Sequence, residues 1–160
     1  MRTLDASAIL HGWDNYPPPQ FPRLWEWMAE RVEKHDLAIT DVALDEVARR
    51  ELDCAKWLRD HNVEIVPVSD ASLAEALRIK QLLGIEGNAY HPKGVGENDL
   101  LIIAAARILR VDLITNEQRQ PSLPSNLRQY KIPAVGDLTA VQVKTLNFLE
   151  YLKLHQNVFG

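Results

Sequence analysis

Cysteine is almost absent from this chain. Cys54 stands alone among 160 residues, so no intrachain disulfide can form. That suits a reducing cytoplasm, and Cys54 reads as a small packing residue rather than a catalytic thiol. Histidine is sparse and scattered: His11, His35, His61, His91 and His155 show no zinc spacing, and none is assigned a catalytic role. Long apolar runs are missing too. Nothing approaches the roughly 18 residues of a membrane helix, and Asp5 and Asp14 interrupt the opening segment where a signal peptide would be apolar. No Walker or dinucleotide glycine loop is present; GVGEND follows a loop, not a strand. Internal repeats and low-complexity stretches are also lacking.

Positive charge is in deficit. Lys and Arg number 18 against 22 Asp and Glu, for a net charge of −4, which argues against holding nucleic acid by bulk charge. A nuclease is not excluded, because a carboxylate-rich metal site is itself negative until cations bind. RNA contacts would then come from local patches: Arg49, Arg50, Lys56 and Arg59, and later Arg119, Arg128 and Lys131. Each reads first as a solvated face. The 46% apolar and 25% charged fractions are those of a soluble globular protein, and the length suits one domain over 1–160.

Strand and helix patterns alternate along the chain. Arg2–Leu4 reads as a very short strand, and Ser7–Trp13 opens a helix. Tyr16–Pro19 is a stiff polyproline stretch. Phe21–Lys34 is helical, with Pro22 in its first turn; Trp25 and Trp27 read as packing residues rather than base-stacking platforms. Leu37–Ile39 is a strand, and Thr40 or Asp41 can cap a helix over Val42–Leu58. Val63–Val68 is a β-branched strand and Ala71–Leu83 a helix. Gly84–Gly96 is a loop with four of the 7 glycines, either a gate or a plain connector. Asn98–Leu109 is apolar on nearly every side, the mark of a buried helix. Val111–Thr115 and Ile132–Val135 read as strands, and Thr139–Leu154 as a closing helix. This alternation predicts an α/β fold with a parallel sheet covered on both faces; an all-α bundle is the alternative.

In such folds sites form at the carboxyl ends of the strands. Asp5 follows a strand. Glu46 lies about a turn and a half into a helix that follows a strand. Asp99 sits in the first turn of the buried helix, and Asn116 and Glu117 directly follow a strand. Each acid has a plain alternative: Asp5 a turn or cap, Glu46 a solvated helix residue, Asp99 a cap favoured by the helix dipole. A parallel sheet would bring them to one edge, where carboxylates repel unless cations intervene. Oxygen donors with few histidines select Mg²⁺ or Mn²⁺, ions that can activate a water and stabilise a leaving phosphodiester oxygen.

Four blocks in this order, LDASAIL, ITDVALDEV, GENDLLIIAAA and LITNE, resemble the PIN domain shared by VapC-like toxin ribonucleases. The resemblance runs from about Arg2 to Asp137, and PPPQFPRLWEWM is similar to an uncharacterised bacterial PIN-like branch. It implies a three-layer α/β/α fold with a central parallel sheet of four to five strands. It also implies an Mg²⁺- or Mn²⁺-dependent endoribonuclease acting on RNA, with an antitoxin protein and a homodimer as possible partners and no membrane. Matched residue by residue, Asp5, Glu46 and Asp99 correspond to the catalytic metal acids. Asn116 stands where many members carry a fourth acid, with Glu117 as a substitute and Glu97 as another nearby acid. Ser7 and Thr115 match small polar residues that would support the ligands. An amide at Asn116 ligates more weakly than a carboxylate, and PIN-like proteins with incomplete acids are often weak nucleases or inactive scaffolds. A catalytically weak RNA- or protein-binding module is therefore the main rival. A haloacid-dehalogenase-like phosphatase also begins with a strand-end aspartate, but it needs a second Asp where this chain has Ser7.

Overall fold

A computed structural model describes residues 1–160. Its first strand, β1 (Arg2–Leu4), runs through Asp5 into α1 (Ala6–Asn15), and α2 (Pro22–Glu33) follows the proline stretch. Trp25 is buried and meets Trp13 and Trp57 edge-on at 5.1 and 5.0 Å, and Trp27 packs on Tyr151. These indoles therefore pack, as expected. Next come β2 (Leu37–Thr40) and α3 (Asp41–Arg50). Thr40 is the cap: its hydroxyl accepts from the Ala43 N–H at 3.2 Å.

The single helix expected over Val42–Leu58 is two. α3 stops at Glu51, whose backbone leaves the helical region (φ −149°, ψ 86°), and α4 (Leu52–Asp60) starts there. Glu51 serves both ends, its N–H bonding the Val47 carbonyl while its own carbonyl accepts from Cys54 and Ala55. No proline or glycine marks this break. Cys54 is buried, and burial raises its thiol to about 12, in keeping with a packing role.

β3 (Glu64–Val66) is shorter than the expected Val63–Val68 and lies at the edge. α5 (Asp70–Leu82), α6 (Glu97–Leu109) and β4 (Leu113–Ile114) follow as expected, β4 being the centre of the Val111–Thr115 run. Two further expectations need correction. Ile132–Val135 is not a strand but the start of α7 (Ile132–Asp137), which buries Ile132 to Gly136. A short apolar run does not separate a buried strand from a buried helix, and Pro133 suits a helix's first turn. The closing helix over Thr139–Leu154 is instead β5 (Thr145–Leu146) followed by α8 (Phe148–His155). Asn147 starts α8 in a reciprocal cap with Glu150, so the helix begins later than its apolar pattern.

The five strands form one all-parallel sheet in the order β3-β2-β1-β4-β5. Every residue of β2 is buried, although successive side chains point to opposite faces, so helices cover the sheet on both sides. This is the three-layer α/β/α arrangement. Leu4, Leu37, Ile39, Leu113 and Ile114 form the centre of the core. No helix is long and apolar enough to cross a membrane.

Candidate functional site

Parallel pairing puts the carboxyl ends of β1 and β4 side by side, with Leu4 in register with Ile114. The next residues, Asp5 and Thr115, therefore meet. The Asp5 N–H donates to the Ile114 carbonyl at 2.8 Å, and Thr115 Oγ1 donates to Asp5 Oδ2 at 2.9 Å. Ser7 Oγ donates to the same carboxylate oxygen and accepts from the Asn116 N–H at 2.9 Å. Thr115 Oγ1 accepts in turn from the Glu117 N–H at 3.1 Å. The first and last motif blocks are thus joined through two hydroxyls. Asp5 itself is only 3% exposed. Burial raises its pKa, and the Ser7 and Thr115 hydroxyls oppose that rise.

α3 and α6 bring the other acids to this edge. Glu46 accepts from Asn98 Nδ2 at 3.2 Å. Asp99 Oδ2 accepts from the Gly96 N–H at 2.8 Å, so Asp99 caps α6 and also faces the cleft. Burial is the main cause that lifts Asp99 to about 7; the Gly96 N–H opposes it, and the charges of Asp5, Glu117 and Glu46 add to it. Glu46 is raised too, first by burial and then by Asp5 and Glu117, against the Asn98 bond and Arg49.

Asp5, Glu46, Asp99 and Glu117 line one cleft of about 270 Å³, with Ser7, Arg49 and Arg50. Of the residues expected here, two stand apart. Glu97 is exposed and lines neither this cleft nor the one beside it. Asn116 Oδ1 accepts from the Phe148 N–H at 2.9 Å, so the amide serves the start of α8, while Glu117 lines the cleft. Arg49 and Arg50 were visible in the sequence as a basic pair; their place beside the acids follows from α3. Asn98 reads from the sequence only as the first residue of the buried helix, and nothing there points it at Glu46.

A second cleft of about 250 Å³ adjoins the first, shares Asp99 and Glu117, and is also lined by Lys93 and Lys131. The loop before α6 is tied down where it borders this cleft. Val95 N–H donates to the Tyr130 carbonyl at 3.0 Å, and the His91 and Gln129 side chains meet at 3.1 Å. A larger cavity, about 580 Å³, lies at the far end of α6. Its carboxylates are already ion-paired, Glu75 with Arg78 and Arg107 and Asp112 with Arg2, and it holds none of the expected acids.

The donors in the acidic cleft are oxygens, with no histidine or cysteine among its lining residues, which suits a hard divalent cation. They share the cleft without closing on one point: no group of three or more His, Cys, Asp or Glu side chains is arranged to hold an ion as it stands. Mg²⁺ ordinarily keeps several waters and takes only one or two carboxylates, so the donor set fits such an ion held partly through water.

A family model described as a domain of unknown function (DUF4411) matches residues 3–159. The chain belongs to that family. Among solved structures, the fold is similar to VapBC2 from Rickettsia felis, solved bound to a DNA fragment from its promoter. That match has 17% identity and a TM-score of 0.53, covering 91% of this chain and 97% of the other. It is also similar to PAE2754 from Pyrobaculum aerophilum, at 16% identity and a TM-score of 0.51, covering 98% of this chain and 97% of that one. Identities this low carry the fold alone, and the fold is PIN-like, as the four motif blocks imply. No curated protein matches the sequence.

Proposed function

We propose that this DUF4411 chain is a ribonuclease dependent on Mg²⁺ or Mn²⁺, with Asp5, Glu46 and Asp99 as its principal acids and Glu117 as the fourth. One observation carries the reading: four acids distant in sequence line a single cleft at the carboxyl edge of a parallel sheet. A bound divalent cation would supply a nucleophile from water near neutral pH and charge stabilisation for the leaving oxygen. The chain's own residues do the rest. Ser7 and Thr115 fix the direction of the Asp5 carboxylate, Asn98 orients Glu46, and the Gly96 N–H holds Asp99. Arg49 and Arg50 offer positive charge at the cleft for the phosphate being cut. Asp99, at about 7, can hold a proton in the free protein and release it when a cation enters.

Single-stranded RNA incubated with Mn²⁺ should be cleaved, and Asp99→Asn should abolish cleavage. Intact RNA at high protein concentration with either metal would sink the reading. The rival, a PIN-like module that binds RNA or a protein without cutting, is favoured by the open spacing of the acids. Calorimetric titration with Mn²⁺ separates the two, since an inert module gives no specific heat of binding. The likeness to VapBC2 makes an antitoxin-like protein, or a second copy of the chain, the partners to seek by co-purification.

A further inference from the structure

We infer that the second cleft is a subsite for a flanking phosphate of the bound RNA strand, with Lys93 and Lys131 as the residues that position it. The inference rests on the ribonuclease reading and concerns how the strand lies across the acids. The two clefts meet at Asp99 and Glu117. Arg49 and Arg50 line the first with the acids, and Lys93 and Lys131 line the second with Asp99 and Glu117. A phosphate approaching a cluster of carboxylates is repelled, and a chain of net charge −4 offers no general attraction to offset this. The cations that line the two clefts supply it locally. At about 250 and 270 Å³, each cleft is smaller than an ordinary small-molecule pocket. Each therefore suits a phosphate and its sugar, and a strand passing through both places one linkage at the shared carboxylates.

Lys93 and Lys131 are brought together by a built framework, not by chance exposure. Gln120 braces the segment that carries Lys131: its Nε2 donates to the Gln129 carbonyl at 3.0 Å, and its Oε1 accepts from the Lys131 N–H at 2.9 Å. Lys93 N–H donates to His91 Nδ1 at 3.1 Å, and the other ring nitrogen of His91 meets Gln129. Gly94 lies so close to the Arg128 carbonyl that a Cβ would stand 1.8 Å from its oxygen. The loop thus reaches the 128–131 segment only because position 94 lacks a side chain. Neither lysine forms an ion pair, so both ammonium groups remain available to a phosphate.

The test measures binding of labelled single-stranded RNA to Asp99→Asn protein in Mn²⁺, where cleavage is blocked, over a range of salt concentrations. Adding Lys93→Ala and Lys131→Ala together should weaken binding and lower the salt slope by about 1.4, or ~0.7 for each lost single-strand phosphate contact. Lys93→Arg with Lys131→Arg should restore both. The pair Lys34→Ala and Lys153→Ala, away from the clefts, should leave the slope in place. Mn²⁺ binding to the otherwise wild-type Lys93→Ala/Lys131→Ala protein should match wild type. If the parent binds RNA and the alanine pair leaves affinity and slope unchanged, the subsite is overturned while the ribonuclease reading stands. If the parent binds no RNA, the subsite is overturned, and cleavage by the wild-type protein decides the ribonuclease reading separately. Loss of Mn²⁺ binding in the alanine pair would also overturn the assignment, by showing damage to the acidic cleft itself.

Discussion

Thr115 Oγ1 donates to Asp5 Oδ2 across 2.9 Å, though 110 positions separate the two residues. The contact exists because β1 and β4 are parallel neighbours whose last residues, Leu4 and Ile114, are in register. It ties the first motif block to the last and fixes the most deeply buried acid of the site. Both residues are buried, so the donor has no water to replace it.

Thr115→Val keeps the shape and removes that donor. Loss of a group supporting a metal ligand typically costs about 10–100-fold in metal affinity or activity. The expected outcome is a loss in that range by Mn²⁺ calorimetry and RNA cleavage, with a chain that still folds by circular dichroism. Unchanged Mn²⁺ affinity would mean that Asp5 needs no such support.

Asp99 predicts a pH dependence. Its folded pKa, about 7, lies above the ordinary 3.8, chiefly because of burial. The folded state therefore binds its proton more tightly than the unfolded chain does. The contribution to stability is fully present below about pH 4 and is lost as pH rises through 7. Urea unfolding of the metal-free protein should show stability falling across that window on account of this group. Asp99→Asn should flatten that part of the profile, and saturating Mn²⁺ should offset the loss at neutral pH. An identical slope in the variant would contradict the assignment.

Asn116 is predicted to act in structure and not as a ligand, since its Oδ1 accepts from the Phe148 N–H. Asn116→Ala should cost about 1 kcal/mol in urea unfolding, the usual value of one such bond. Asn116→Asp retains the acceptor and should leave Mn²⁺ affinity within about twofold of wild type. A large gain in affinity would instead put this position in the metal site.

Gly94→Ala should destabilise the protein by about 1–3 kcal/mol, the usual range for overpacking. The added Cβ meets backbone at the Arg128 carbonyl, which cannot rotate away as a side chain would. Thermal unfolding would reveal the cost, and an unchanged melting temperature would show that the loop accommodates it.

Asp5, Glu46 and Asp99 were legible because Asp5 follows a strand, Asp99 lies in a helix's first turn and Glu46 lies early in a helix that follows a strand, and parallel strands send such positions to one edge. Glu117 and Asn116 were legible only as neighbours; which of them turns into the cleft was not, because α8 claims the amide of Asn116 through Phe148. Ile132–Val135 misled for a related reason, since a short apolar run states that it is buried but not in which conformation. The break at Glu51 carried no proline or glycine to announce it. β5, two residues long, had too little pattern to stand out from the helix that follows it.

Local pattern was enough to favour an α/β class and to show the order of the motif blocks and the chemistry of the donors. Those depend on local periodicity and on residue type, which each segment carries alone. Packing of the whole chain settled which donors share a cleft, that Ser7 and Thr115 both hold Asp5, and that Lys93 and Lys131 line a cleft with Asp99 from positions 38 residues apart, as His91 and Gln129 are. These relations come from strand register, from helices packing on one another and from Gly94 pressed on a distant carbonyl. Each needs two parts of the chain in place at once, and no local pattern records that.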